Sequence, residues 1–461
     1  MNKEVNDAIV KSKIVQDKCN AFVTILDTPE IPAGESPIKG WTYSAKDLFS
    51  TKGILTTGSS NSLKDYVPFF DATVIKKLKE AGSILINKSA CDEFGLGGTG
   101  TTCHTGVVKN PWDETRIAGG SSAGSAVAVA TGCVRFALGT DTGDSVRKPA
   151  AYCGVVGYKP TYGVISRYGV FPFAASLDHV GIFTRNVKEA AMVTDIIKGI
   201  DPRDMTSLET EDLTPKLNED VKGKKLFYIK ELCNIEYYEN PTEELKETIS
   251  KFHETLEKAK ELGIEVYEES VDEKLLKALQ PTYMVISCAE ATSNLSMYTG
   301  IIYGPRGEGD KITSMVKDYR TKGFSPLIKR RLVIGSYVLQ KENQDRYYLN
   351  ACKVRRLVVD TFNKLFEKYD GFITMASGGA APKIDESSEV FSNKAVLENH
   401  LCIGNFGGYP SITIPNGFVG GMPIGINITG KVLDDGNILN IAEKLESKMD
   451  YKDQVVGGFY E

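Results

Sequence analysis

Three serines stand among glycines and alanines in IAGGSSAGSAVAVATG, residues 117–132, and a fourth ends the small-residue loop GTDTGDS at 139–145. A hydroxyl where a helix begins is an ordinary N-cap, because its oxygen accepts one of the unpaired N–H groups of the first turn. The same hydroxyl is a nucleophile when a base can take its proton and nearby N–H groups can hold the oxyanion that forms. GTDTGDS suits the second condition. Successive N–H groups in a loop entering a helix make a concave anion site, and Ser145 ends that loop. Pro149 fits the first turn of a short following helix, and Gly154 closes it. On these residues alone, Ser145 is either a capped turn or a nucleophile.

A serine nucleophile needs a base. The chain has four histidines, His104, His179, His253 and His400. Gly120-Ser121-Ser122-Ala123-Gly124 fits the G-x-S-x-G elbow with Ser122 as nucleophile, but that elbow follows a buried strand and NPWDETRIAGG does not read as one. Its partner would be His253 or His400, and His253 falls amid Glu and Lys, on what reads as the solvated face of an amphipathic helix. Lysine is the alternative when burial and positive neighbours hold it neutral. Lys46 ends an alternating, partly apolar run in KGWTYSAKD, where a side chain can point inward. Lys52, in a turn before Gly53, reads as solvated. GLGGTG at 95–100 fits G-x-G-x-x-G but lacks the strand before and the helix after that a dinucleotide site requires. It reads as a turn-rich loop bordering the site.

The elements that must hold these residues follow one plan: a helical pattern, a glycine stop, then a short extended run. DATVIKKLKEAGSILIN starts a helix capped by Asp71, stops at Gly82 and enters a strand at 83–87. In PTEELKETISKFHETLEKAKELGIEVYEESV, Leu245, Ile249, Phe252, Leu256 and Leu262 keep helical spacing up to Gly263, and 264–271 is extended. VVDTFNKLFEKYDGFITM repeats the plan, an apolar run at 134–138 precedes GTDTGDS, and YPSITIPNGF and MPIGINITG add two strands. Alternating helices and strands predict an α/β layered fold with helices on both faces of the sheet. The polar connection 213–225 suggests one domain over 1–461 with a smaller inserted lobe at about 215–345.

The net charge of −5 comes from 55 basic and 60 acidic residues mixed along the chain, so no basic block grips nucleic acid directly. The start lacks the apolar stretch of a signal peptide, and no run approaches the ~18 apolar residues of a membrane span. Nine scattered cysteines, never Cys-x-x-Cys, read as reduced thiols of a cytoplasmic protein. The histidines lack ligand spacing, so no metal site is expected.

GGSSAGSAVAVATG, GTDTGDSVRKPAAYCGVVGYKPTYG and SLDHVGIFTR together closely resemble the amidase signature family, and the resemblance extends over nearly the whole chain. It implies an α/β/α layered fold around a central mixed sheet and a Lys–Ser–Ser triad. Residue by residue, Lys46 matches the base, Ser121 the bridging hydroxyl, joined through a cis peptide, and Ser145 the nucleophile. Backbone N–H groups from Thr142, Gly143 and Asp144 up to Ser145 match the oxyanion hole. Ser122 is expected to cap the helix beside the substrate, and Ser125 to pack one turn in. Asp144 stands where many members have glycine. Its carboxylate is expected to point away, held by Arg147 or Lys148.

Within the family, SRYGVFPFAASLDHVGIFTRNVKEAA, AEATSNLSMYTGIIYG, KRRLVIGSYVL and GNFGGYPSITIPNGF resemble the glutaminase subunits of tRNA-dependent amidotransferases. That likeness implies glutamine as substrate. Arg331 would grip its carboxylate (Arg330 by one register), Glu398 its ammonium, and Tyr283 would line the pocket. It also implies a heterotrimer in which this chain joins the B and C subunits of the amidotransferase. The tRNA would be reached through the B component, with no cofactor in this chain and ATP and Mg in that partner. The alternative activity is a stand-alone amidase acting on a small aryl or aliphatic amide.

Overall fold

The computed structural model describes residues 3–387, 396–397 and 399–461. Eleven strands form one mixed sheet: β1 (Phe22–Ile25), β2 (Thr42–Lys46), β3 (Ile84–Ser89), β4 (Phe136–Asp141), β5 (Val156–Lys159), β6 (His179–Thr184), β7 (Lys225–Ile229), β8 (Glu265–Glu269), β9 (Gly371–Met375), β10 (Ser411–Val419) and β11 (Met422–Thr429). Their order is β1-β3-β2-β4-β6-β5-β10-β11-β9-β7-β8. The β2 strand runs parallel to both β3 and β4, and β7 parallel to β8 and β9. The other pairings are antiparallel.

Alternation along β4 shows the two covered faces. Ala137 packs with the helices Lys3–Cys19 and Ala123–Ala130. Its neighbours Phe136 and Leu138 pack on the opposite side with Thr73–Glu80 and Val187–Ile197. A strand buried on both sides loses the polar half of its pattern, and every residue of β2, β3 and β4 is buried. Farther along, Ile412, Ile414, Ile426 and Ile428 of the β10–β11 hairpin bury against Glu243–Glu261 and Asp435–Glu446. Each such side chain contributes roughly 1.5–3 kcal/mol. The predicted apolar face Leu245, Ile249, Phe252 and Leu256 is the buried face, and Gly263 ends that segment at φ +77°.

Local signals misplaced three details. Asp71 does not cap Thr73–Glu80, whose N-cap position is Ala72. Its carboxylate accepts the Lys52 N–H at 2.8 Å and pairs with Lys79 at 3.2 Å instead. The run expected from Val134 becomes β4 only at Phe136: Val134 and Arg135 lie in a bend, from which Arg135 N–H already reaches Thr42 O of β2 at 3.0 Å. His253 is half-buried rather than solvated: its ring packs on Tyr228 and Phe252, with Nε2 3.2 Å from Cys233 O.

Candidate active site

Lys46 ends β2 between two neighbouring strands, and its amine is fully buried. Nζ lies 2.7 Å from Ser121 Oγ, 2.9 Å from Ser122 Oγ and 2.7 Å from Thr140 Oγ1. Burial disfavours the ammonium form and lowers the lysine to about 8, against the opposing pull of Cys91, Asp92, Asp141 and Asp178. Thr140 lies inside GTDTGDS, but no role was assigned to it there. Its signal was the period of two: Thr140 and Thr142 flank Asp141 at the end of a strand, so their side chains share a face.

The Gly120–Ser121 peptide is cis. Ser122 occupies the N-cap position of Ala123–Ala130, but its hydroxyl makes no capping hydrogen bond. It donates to Thr140 O at 3.1 Å and meets Lys46 instead, because the strand end outcompetes the helix for that oxygen. Ser125 sits one turn in, donating to Leu138 O at 2.9 Å. Tight packing explains the small residues here: a Cβ at Gly124 would lie 2.1 Å from Ala21 O, and one at Gly120 2.1 Å from Asp92 Oδ2.

GLGGTG does border the site, wrapped around a protein carboxylate. Asp92 accepts the N–H groups of Thr99, Gly100 and Thr102 at 3.2, 3.0 and 3.2 Å. Gly98 O accepts the Gly120 N–H at 3.0 Å. An acid three residues ahead of a glycine-rich loop was the available signal, since such loops nest anions.

Ser145 is 3% exposed at the end of GTDTGDS. Among the described residues, the N–H groups of Thr142, Gly143, Asp144 and Ser145 donate to no protein acceptor, whereas Val146 N–H donates to Asp141 Oδ2 at 2.9 Å. Arg147 holds the loop in place. It is fully buried, meets both Asp141 oxygens at 3.0 and 3.1 Å, and donates to Gly143 O at 2.8 Å and Leu401 O at 2.7 Å. The guanidinium keeps Asp141 ionised, well below the usual carboxylate range. Asp144 is turned aside by Lys148, at 2.9 Å, rather than by Arg147. Ser122 N–H donates to Ser145 O at 3.3 Å, but among the described residues Ser145 Oγ has no hydrogen-bond partner. The Lys46–Ser121 half of the expected relay is in contact and the Ser121–Ser145 half is open, as catalytic contacts often are before substrate binds.

The helix Leu279–Asn294 brings Tyr283 over the loop, where a Cβ on Gly143 would meet its ring at 3.0 Å. On Pro326–Val338, Arg330 is exposed and Arg331 half-buried. The Arg331 guanidinium lies 5.8 Å from the Phe173 ring centroid and its Nη1 3.8 Å from Met284 Sδ. Its buried Nε has no partner among the described residues. Glu398 lies outside the described residues. Nearby, Asp178 accepts the Thr142 hydroxyl at 2.7 Å and the Phe173 N–H at 2.9 Å, and burial pushes its carboxyl up to about 6. It lines a cavity of about 230 Å³ with Thr140, Thr142, Phe171 and Phe173. Among the described residues no group of three or more His, Cys, Asp or Glu is placed to hold a metal, and no helix is long and apolar enough to cross a membrane.

The Amidase family model matches residues 8–439. The chain belongs to the amidase family. This amidase is 40% identical over 462 residues to the A subunit of glutamyl-tRNA(Gln) amidotransferase from Thermoanaerobacter pseudethanolicus, covering 97% of this chain and 93% of that protein. It is 39% identical to the protein of the same name from Heliobacterium modesticaldum, covering 95% and 91%. The crystal structure of the corresponding glutamyl-tRNA(Gln) amidotransferase chain from Thermotoga maritima is similar with a TM-score of 0.83 at 33% identity, covering 98% of this amidase and 93% of that chain. The expected mixed α/β sheet and amidohydrolase class are those of this amidase.

Proposed function

We propose that this amidase hydrolyses glutamine and supplies ammonia as the glutaminase component of a tRNA-dependent amidotransferase. Neutral Lys46 takes a proton from Ser121 as Ser121 takes one from Ser145, and Ser145 Oγ attacks the amide carbon. Thr142, Gly143 and Asp144 N–H groups hold the oxyanion. Collapse breaks the C–N bond, the relay returns the proton to the leaving nitrogen, and ammonia departs. Water then cleaves the acyl ester by the same relay and releases glutamate. The buried amine 2.7 Å from Ser121 supports amide hydrolysis. The observation that carries the step to glutamine is Arg331, whose buried Nε lacks a protein partner among the described residues, close to Tyr283 and Phe173. Arginine suits an α-carboxylate through two parallel hydrogen bonds. Glu398 is the proposed partner of the α-ammonium, Tyr283 lines the pocket, and Ser122 shares in holding the site.

The names of the relatives support a complex, here proposed as a cytoplasmic heterotrimer with the B and C subunits. In it, tRNA is reached through the B component, and ATP and Mg are used there. The whole chain is then one domain over 1–461, with the smaller inserted lobe at about 215–345. The test is ammonia release. The isolated chain should hydrolyse glutamine weakly and be stimulated by both partners with charged tRNA. Full, unstimulated activity on aryl or aliphatic amides would replace this reading with a stand-alone amidase.

The clamp has its own expected result. Arg331→Lys should lower kcat/KM for glutamine at least ~10-fold, since breaking a desolvated charge pair costs roughly 2–4 kcal/mol. A small uncharged amide should lose little. Steady-state rates on both substrates check this, and a parallel fall would place the clamp elsewhere.

A further inference from the structure

We infer that Glu93 is a positioning residue for the amino-acid end of the substrate, acting through the helix that carries Arg331; this rests on the glutaminase reading above. Glu93 is 2% exposed and lies outside the Lys46–serine contacts. Its Oε2 accepts the backbone N–H of Ser325 at 3.0 Å, and its Oε1 accepts the Ser60 hydroxyl at 2.5 Å. Ser325 is the N-cap of Pro326–Val338, and its own hydroxyl accepts the Ile328 N–H at 3.4 Å. One carboxylate therefore fixes the cap residue, and the cap residue fixes the first turn.

The corner after Glu93 is built for this contact. Phe94 has φ +51°, a left-handed conformation that a bulky residue rarely adopts and that clusters at functional sites. Its ring stacks on Tyr298 at 5.0 Å and meets Phe324 edge-on at 6.0 Å. Glu93 and Phe94 thus seize neighbouring residues, Ser325 by hydrogen bond and Phe324 by ring contact. At its far end the same helix is pressed against Leu279–Asn294, where a Cβ on Gly335 would lie 2.0 Å from Thr292 Oγ1. Arg331 lies between these two supports, about 9 Å along the helix from Ser325.

The preceding residue faces the serines. Asp92 N–H donates to Ser121 O at 3.1 Å, while its carboxylate nests the 97–102 loop. Adjacent residues of one backbone therefore hold the reacting serine segment and the guanidinium helix at a set separation. That separation is what a substrate with a fixed length between amide and α-carboxylate requires.

Full-length Glu93→Ala, Glu93→Gln and Ser325→Pro are compared with wild type on glutamine and on an uncharged aliphatic amide. Glu93→Ala should raise KM for glutamine at least ~10-fold with kcat within ~3-fold, because ground-state positioning rather than chemistry is lost, and kcat/KM for the uncharged amide should stay within ~3-fold. Glu93→Gln can still accept from Ser325 and should restore the wild-type KM. Ser325→Pro removes the N–H at a φ of −65° that proline shares, and should reproduce the selective KM effect even if Glu93→Ala folds poorly. Adding Glu93→Ala to Arg331→Lys should cost less than ~3-fold more, as expected of coupled residues. Equal losses on both substrates, no rescue by Glu93→Gln, or multiplying losses in the double variant would overturn the inference. A wild-type chain that fails on glutamine even within its assembled complex would instead overturn the glutaminase reading, and this inference with it.

Discussion

Ser145→Ala is expected to lower amide hydrolysis by on the order of 10³-fold or more and to abolish the acyl-enzyme, because the covalent route loses its only nucleophilic atom. Stability should hardly change. Ser145 Oγ has no hydrogen-bond partner among the described residues, so its removal strands no buried group. Single-turnover assays with a chromogenic amide, together with mass spectrometry of the trapped acyl-enzyme, measure both effects. A variant keeping more than a tenth of the activity would move the nucleophile to Ser121 or Ser122. Neither of those is so free: both hydroxyls are bound to Lys46.

Lys46→Ala should be as damaging as Ser145→Ala, and the double variant scarcely worse, since members of one relay do not lose activity independently. The pH profile supplies a second readout. Burial lowers the lysine from its ordinary 10.5 to about 8, and the neutral amine is the proposed base. Activity should therefore fall below pH 8 as the amine takes up a proton, and rise through that pH to a plateau. A profile flat from about pH 6 to 10, or losses that simply multiply in the double variant, would remove Lys46 from the relay. The stability of Lys46→Ala needs separate measurement, because the amine also holds Ser122 and Thr140.

Ser121 was singled out only by the resemblance to the amidase signature family, whereas Lys46 and the GTDTGDS loop were offered by local patterns, an alternating run and a donor loop with proline and glycine in place. The sheet was legible for the same reason, through helices that stop at glycine before extended runs. What escaped depends on contacts distant in the chain. Ser122 sits where a capping hydroxyl belongs, yet Thr140 and Lys46 claim its oxygen. Asp71 precedes a helix as a cap does, but turns to Lys52 and Lys79. Thr140 stood inside GTDTGDS with no role assigned to it, Asp92 and Glu93 stood in no motif, and only folding brings them to Lys46, Gly120 and Ser325. The orientation of Asp144 was legible as an expectation of charge, while the choice of Lys148 over Arg147 followed from Asp141 occupying the guanidinium first.

That prior commitment of Arg147 bears on how new specificities could be engineered into this scaffold. The guanidinium spends its donors on Asp141, Gly143 O, Leu401 O, Ser411 and Asn405, so the GTDTGDS loop is tied to one distant stretch of the chain, 401–411, at three residues. A mutagenesis library aimed at 139–148 would mostly sample broken networks, because altering one buried partner leaves another charge or dipole unmatched. Diversity is better placed on the helices 279–294 and 326–338, at Tyr283, Met284 and Arg331, where the Tyr283 ring lies against Gly143 and Arg331 lies against Met284 and Phe173. On the proposed reading, the power to cleave an amide and the choice of which amide reside in parts that can be varied separately.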